Sequence, residues 1–425
     1  NHFWFIMADL ISKRIRGFRD ILPEESKKFL LIENVIHRIC PLFDTHQVKI
    51  PALESANLFN RSIGETSDIV TKEMYSFKDK NDDMVCMIPE GTASCMRLAF
   101  ENNLIYDRGI KKNRLYYYAP MFRHERPQKG RYRQFTQFGV EFIGDKTISD
   151  DIDLILMSCK FFAEIGLTDI SLHINNLGSN DDREKYASKL QEYFNRYSKS
   201  LSDNQKNTLI KNPLRLLDNK DNAIREIIEN APNIKDSLNN DSSDRFEQIT
   251  DTLNKLNVKF TLDNKLVRGL DYYNDLVFEW KTRQLGTQDA ICAGGRYDGL
   301  AKIIGGLDIP AVGLAIGVDR VVELLACKNK EITIGLSLLT SSLSDCSKII
   351  TQLREIDYAY RLIKMESGKS LTKQIKSAVK QECDILVIVG DEEISNNTLT
   401  IKYLKDNKND ESISIDKFLN ILEEY

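Results

Sequence analysis

The densest chemistry in this chain of 425 residues lies between Tyr116 and Glu141, in the stretch YYYAPMFRHERPQKGRYRQFTQFGVE. Arg123, Arg126, Lys129, Arg131 and Arg133 place five cations within eleven residues, with Glu125 as the nearby counter-charge. Guanidinium groups at that density suit phosphates, whether of a nucleotide, a nucleic acid or both. For charge alone, a solvated basic loop is the competing reading. The flanks weaken it. Arg123 follows directly on the apolar Met121-Phe122, so its guanidinium should emerge from a sheet rather than from a loop tip. On the far side, Gln137 and Glu141 stand four residues apart in an alternating run and face the same way.

Other reactive types are scattered. Pro89-Glu90-Gly91-Thr92-Ala93 sits where an apolar strand pattern gives way to a helical one. A carboxylate and a hydroxyl at such a turn can grip an amine, and a helix cap by Thr92 is the alternative. Arg268 lies in LVRGLDYY, and the paired glycines of AGGRYDGL let the backbone approach a ligand closely. In PAVGLAIGVDRVVELL, Arg320 near a helix start has the shape to lie on a purine ring, or to form a helix salt bridge. The five histidines show no metal or triad spacing, and His173 falls on the polar side of its strand pattern. The eight cysteines form no C-x-x-C pair, and no signal peptide is evident. Reduced cytoplasmic thiols are expected, with Cys86, Cys95, Cys159 and Cys292 as core filler.

These residues need elements to hold them. The cationic stretch reads as strand, long loop and strand, an antiparallel hairpin with Pro127 and Gly130 in its tip. Upstream, Phe29, Ile32, Ile36, Ile39 and Phe43 recur at helical spacing until Pro41, and Gln47–Leu53 reads as one extended strand carrying Pro51. No glycine occurs between Ser179 and Arg268, where apolar residues keep helical spacing; a small helical module is expected there. Beyond Lys328–Lys330, apolar strand patterns alternate with helical ones, as in a separate α/β domain. Hydrophobic content of 42% and a net charge of −4 suit a globular protein whose polyanion site is a local patch. No apolar run reaches membrane-spanning length. NHFWFI, ahead of Met7, is treated as an extension outside the fold.

Together these segments resemble the histidyl-tRNA synthetase family, a class II aminoacyl-tRNA synthetase family, over essentially Met7 to the C-terminus. FRHERPQKGRYRQF looks like its motif 2, Pro51 stands where motif 1 has a proline, and GLAIGVDRV looks like motif 3. LVRGLDYY and AGGRYDGL resemble the two histidine-specific segments. The resemblance implies an α+β catalytic domain with a six-stranded antiparallel sheet (residues 7–178 and 258–327), a helical insertion (179–257) and a C-terminal α/β anticodon-binding domain (331–425). It also implies a homodimer.

The implied reaction joins L-histidine and ATP to histidyl-adenylate, releases pyrophosphate, and passes the histidyl group to the 3′ end of histidine tRNA. Two anions must meet in the first step, so cations matter more than a general base. By resemblance, Arg123 contacts the α-phosphate, and Arg268 approaches from the opposite side in a place other synthetases give to a metal. Arg131 joins the ATP contacts, and Arg320 stacks on adenine with Mg²⁺ on the outer phosphates. No protein-bound metal is implied. Glu90, Thr92 and Gln137 hold the α-amino group, Glu141 and Tyr273 take the imidazole nitrogens, and Tyr297 and Tyr272 complete the pocket. Neutral imidazole carries one donor and one acceptor, which a carboxylate and a phenol satisfy together. Such a site rejects analogues by on the order of 10⁴-fold without editing. Arg126, Gln128 and Arg131 are the candidates for the tRNA acceptor end. The sequence departs from the family pattern at Thr136, where many bacterial relatives carry histidine, and at Asp319, where glutamate is commoner. The alternatives are a non-catalytic paralogue regulating a histidine-biosynthetic ATP phosphoribosyltransferase, which usually degrades LVRGLDYY and lacks the last domain, and a pure RNA-binding module.

Overall fold

The computed structural model describes residues 13–64, 67, 69–105, 113–219, 221–268, 270, 272–286, 289–306, 308–326, 332–340, 343–354, 360–405 and 408–423. The extension at residues 1–6, Gly269 and Asp271 of LVRGLDYY, Lys328–Lys330, the Tyr358 strand start and the Asn407 turn lie outside the described residues. The chain forms two compact units, Asn1–Ala326 and Cys327–Tyr425.

In the first unit, α1 (Pro23–Ile39) starts with a proline in its first turn and Glu24-Glu25 at its positive end. It buries Phe29, Ile32, Val35, Ile36 and Ile39. A 3₁₀ turn, Cys40–Phe43, contains Pro41 and closes on Asp44 at φ 52°. The expected single strand over Gln47–Leu53 is two short ones in different sheets. Strand β1 (His46–Gln47) pairs with the hairpin, whereas β2 (Leu53–Ser55) joins β3 (Ser76–Lys78) and β4 (Met84–Met87) in a small sheet, order β2-β4-β3. Pro51, with no N–H to give a ladder, lies in the unpaired link between them. Helix α2 (Ala56–Ile63) follows β2, and α3 (Thr92–Glu101) follows β4.

The hairpin is β5 (Asn113–Phe122) and β6 (Gln134–Ile143), in register from Asn113 opposite Ile143 to Phe122 opposite Gln134. The loop between them therefore holds all five cations. Helix α4 (Ile148–Glu164) and strand β7 (Ser171–Asn176) come next. Four helices then follow: α5 (Asn180–Asn195), α6 (Asp203–Lys211), α7 (Arg225–Glu229) and α8 (Asn240–Lys255). Serine capping boxes open α5 and α6, and the Asn239 side chain caps α8. Leu190, Phe194, Leu209 and Leu214 share one core, whereas Ile249 and Leu253 of α8 pack with α4 into the core of the main sheet.

The chain returns through β8 (Thr261–Leu262), β9 (Asn274–Lys281), β10 (Ala290–Arg296), α9 (Leu300–Ile304), β11 (Ala311–Gly317) and α10 (Val318–Leu324). The resulting sheet has eight strands, not six, in the order β1-β5-β6-β11-β10-β9-β7-β8. Its six inner strands are antiparallel neighbours, and the edge strands β1 and β8 pair parallel, so the sheet is mixed. Two-residue edge strands carry no readable alternation, which is why pattern alone misses them.

The second unit alternates as expected: β12 (Ile332–Leu338), α11 (Leu343–Arg354), β13 (Tyr360–Lys364), α12 (Leu371–Lys380), β14 (Ile385–Val389), α13 (Asp391–Asn396), β15 (Thr398–Tyr403), β16 (Glu411–Ser414) and α14 (Ile415–Glu423). Strand β12 is parallel to both β13 and β14, and β15 and β16 add antiparallel. Cys40, Cys86, Cys95, Cys292 and Cys383 are buried free thiols and Cys159 is half-buried. Among the described residues, no helix is long and apolar enough to cross a membrane.

A bulge at Gly295-Arg296 aims Arg296 inward, where it is 0% exposed. Its Nε and Nη2 donate to the two Asp151 oxygens at 3.0 and 2.9 Å, and Nη1 donates to Asp298 at 3.1 Å. Arg245 of α8 also pairs with Asp151, so one buried carboxylate ties α4, α8 and β10 together. Replacing Arg296 with methionine leaves that buried charge with Arg245 alone and removes two of its hydrogen bonds. We expect Arg296→Met to cost about 3–5 kcal/mol of unfolding free energy in a denaturant titration. A cost below about 1 kcal/mol, the scale of a surface pair, would show that the network does not hold these elements.

Candidate active site

The turn from β4 into α3 builds one end of a cavity. Glu90 accepts from the backbone N–H groups of Thr92 and Ala93 at 2.8 and 2.9 Å. Glu90, rather than Thr92, therefore caps α3. The Thr92 hydroxyl is free to donate across to Glu141 Oε1 at 2.7 Å. Gln137 Oε1 accepts from Gly91 N–H at 3.2 Å. The Tyr117 ring stands between Gly91 and Gly139, where a Cβ would come within 2.2 and 2.0 Å of it. This seat puts the Tyr117 hydroxyl 3.4 Å from Gln137 Oε1 and 3.3 Å from Glu141 Oε1. The Tyr297 hydroxyl donates to the other Glu141 oxygen. Tyr272 and Tyr273 pack against Tyr297, with ring centroids 5.7 and 6.3 Å from it.

The cationic end draws on four elements. Arg123 leaves β5, donates from Nε to the Pro89 carbonyl at 2.7 Å, and lies 3.8 Å from Glu125. Arg131 pairs with the same Glu125. Arg320, in the first turn of α10, donates from Nη1 to the Ala290 carbonyl at 2.5 Å. Arg268 pairs with Glu279 of β9 and lies 5.2 Å from the centre of the Tyr273 ring. Burial depresses Arg123 and Arg131. Burial, then the charges of Arg131 and Arg123, lower Arg320 to about 10. Arg268 goes the other way. Its burial also disfavours charge, but Glu279 and the neighbouring tyrosines outweigh it.

These groups line one cavity of about 350 Å³, whose walls include Glu90, Thr92, Arg123, Arg131, Gln137, Arg268, Tyr272, Tyr273 and Arg320. Glu141 and Tyr297 stand behind that wall, both buried. Arg126 and Gln128 lie on the exposed face of the loop, whereas Arg131 turns inward. Among the described residues, no group of three or more His, Cys, Asp or Glu is placed to hold a metal. Four contributors escape sequence reading. Glu279 is legible only as a lone carboxylate in an apolar strand, and Tyr117 only through Gly139, a glycine in mid-strand directly opposite it. Glu125 reads as a mere counter-charge. Asp218, at the end of the 3₁₀ turn Pro213–Asp218, also lines the cavity and gives no signal at all.

Glu141 is 0% exposed, and burial pushes its carboxyl up to about 8. Hydrogen bonds from Tyr297 and Thr92 oppose the rise, and the Glu90 charge adds to it. The unfolded chain releases this proton near 4.5 and the folded chain keeps it to about 8, so rising pH favours unfolding across that window. Relative to Glu141→Gln, the wild type should therefore lose stability between those two values and run parallel outside them. Thermal midpoints of both proteins over pH test this, and parallel curves throughout would refute it.

Comparison with known proteins assigns the chain to a family. A family model described as histidyl-tRNA synthetase matches residues 17–321, and one described as an anticodon binding domain matches residues 330–425. A histidine–tRNA ligase of Francisella philomiragia is 41% identical over 416 residues, spanning 96% of this chain and 98% of that protein. The crystal structure of apo Staphylococcus aureus histidyl-tRNA synthetase superimposes with a TM-score of 0.76 at 29% identity, covering 97% of this chain and 100% of that one. A Bacillus halodurans structure, described as an ATP phosphoribosyltransferase regulatory subunit/histidyl-tRNA synthetase, shares the fold at 22% identity and a TM-score of 0.65, covering 90% of this chain and 99% of that one. With one model spanning most of the first unit and a relative aligned along nearly the whole length, the chain belongs to the histidyl-tRNA synthetase family.

Proposed function

We propose that this chain is a histidine–tRNA ligase that activates L-histidine with ATP and transfers the histidyl group to the 3′ end of histidine tRNA. The observation that carries this reading is one cavity with guanidinium groups at one end and the oxygens of Glu90, Thr92, Gln137 and the tyrosines at the other. Two anions, the histidine carboxylate and the α-phosphate, must come together, and a buried cationic wall lowers that cost most as charge builds in the transition state. In this reading Arg123 holds the α-phosphate, with Arg268 facing it across the reacting centre. Arg131 and Arg320 take the outer phosphates and the adenine. Mg²⁺ arrives with ATP as part of the substrate.

The amino-acid end follows from hydrogen-bond chemistry. Glu90, Thr92 and Gln137 offer oxygens for the α-ammonium group. Tyr273 and Glu141 address the two imidazole nitrogens, with Tyr272 beside them. Tyr297 acts on Glu141 rather than on substrate. Because Glu141 is buried behind Thr92, histidine must displace the Thr92 hydroxyl or share its bond to reach the carboxylate. Arg126 and Gln128, exposed on the loop, face the tRNA acceptor end.

The domain division that goes with this reading is a catalytic domain of residues 7–178 and 258–327, a helical insertion of 179–257 and an anticodon-binding domain of 331–425. Two such chains would pair as a homodimer. Leu53 and Phe77 stand on one face of the small sheet, 48% and 45% exposed, and this apolar pair suits a partner subunit. A cytoplasmic location goes with this reading. A regulatory, non-catalytic role is less well supported. Arg268 retains its Glu279 partner, and the second unit matches an anticodon-binding model.

Histidine-dependent exchange of pyrophosphate into ATP is the direct test. Exchange with histidine alone, out of a panel of amino acids, is expected; silence, or exchange with another amino acid, would end this reading. Arg268→Ala should keep binding both substrates yet slow single-turnover adenylation by roughly 10²–10³-fold, because its charge acts on the transition state. An unchanged rate would remove Arg268 from that role.

A further inference from the structure

Thr136 of β6 and Asp319 of α10 meet in space, and Arg19 joins them. Asp319 accepts from the Thr136 backbone N–H at 2.6 Å with one oxygen and from Arg19 Nη2 at 2.6 Å with the other. The other arm of Arg19 pairs with Glu25 in the first turn of α1. The flat face of the same guanidinium lies 4.1 Å from the centre of the Tyr132 ring, with Phe29 at 5.8 Å. Tyr132 belongs to the cationic loop, and its hydroxyl donates to Glu323, four residues along α10 from Asp319, at 3.0 Å. Arg19 itself is not among the residues that line the cavity.

The neighbouring backbone reinforces the connection. Gly17 accepts from Arg133 N–H at 2.9 Å, and Arg133 Nη1 donates to the Arg16 carbonyl at 3.2 Å, so residues 16–19 run beside the returning arm of the loop. At the loop tip, a Cβ on Gly130 would lie 3.4 Å from the Arg320 side chain, so loop and helix are in contact beside the cavity. Three guanidiniums, Arg123, Arg131 and Arg320, face that cavity and repel one another. The depressed value of Arg320 reflects that repulsion along with burial. Before a triphosphate arrives, something must keep the loop and α10 from separating.

We propose that Arg19 is a positioning residue for the nucleotide half of the site: through Tyr132 and Asp319 it staples the cationic loop to the helix carrying Arg320, holding Arg123, Arg131 and Arg320 within reach of one triphosphate. Two arms and a stacking face are all used. A lysine offers one compact ammonium and cannot replace them. The inference rests on the ATP reading of this site.

The test uses the full-length protein. In pyrophosphate exchange, Arg19→Gln should raise KM for ATP on the order of tenfold and leave KM for histidine within about twofold, since loosened geometry acts only at the nucleotide end. Histidine binding by calorimetry without ATP should be unchanged. Arg19→Lys should not restore the ATP value. Tyr132→Leu removes the stacking arm and should give the same split; combined with Arg19→Gln, it should add less than the product of the single effects. KM values for both substrates rising together, or an ATP value that stays put, would overturn the staple. Tyr132 itself lines the cavity, so if Arg19→Gln does not fold, Arg19→Lys decides instead: an ATP value unchanged from wild type overturns the staple. A wild-type protein with no histidine-dependent exchange would instead refute the ATP reading beneath it.

Discussion

Guanidinium groups that share a small cavity repel one another, and the first unit is organised around holding them there. Each cation has a fixed tether. Arg123 hangs on the Pro89 carbonyl, Arg131 on Glu125, Arg268 on Glu279 and Arg320 on the Ala290 carbonyl. These tethers come from separate parts of the chain, so the cavity exists only when the inner strands and α10 are in place. A triphosphate can replace the mutual repulsion with attraction while meeting groups already oriented, which is the physical meaning of preorganisation.

The amino-acid end obeys a different constraint, the cost of burying carboxylates. Glu90 offsets it with two backbone N–H groups at a helix start, and Glu141 with hydroxyls from Thr92 and Tyr297. The tyrosines around Glu141 therefore matter less as a surface than as a hydrogen-bonded cage. One wall of the cavity presents charge, and the other presents hydrogen-bonding oxygens.

How much of this was legible from sequence depended on whether the chemistry was local. The hairpin, the Glu90 turn and the glycine-rich returns showed themselves because composition and alternation change sharply over a few residues. The helices between Ser179 and Arg268 and the alternating second unit were equally readable. Tethers between distant residues were not. Arg19 and Asp319 are three hundred positions apart and Glu141 and Tyr297 more than a hundred and fifty, and neither member of either pair is unusual in its own neighbourhood. The edge strands β1 and β8 escaped for another reason: two residues cannot display a period of two. Arg296 was visible but read as part of a ligand-facing turn, whereas the bulge turns it into the foundation beneath that turn.

Gly313 lies directly across from Glu141 in the β11–β6 register, and a Cβ there would come within 1.9 Å of a Glu141 carboxylate oxygen. The carboxylate thus occupies volume that the adjacent strand has vacated for it. The seat of this carboxylate is therefore not a property of one side chain alone. Enlarging residue 313 would expel the carboxylate and would also bring a Cβ within 2.8 Å of the Val140 carbonyl, so glycine is needed there whatever stands at 141. The position of this buried carboxylate is set by a cross-strand pair, one member of which must stay glycine.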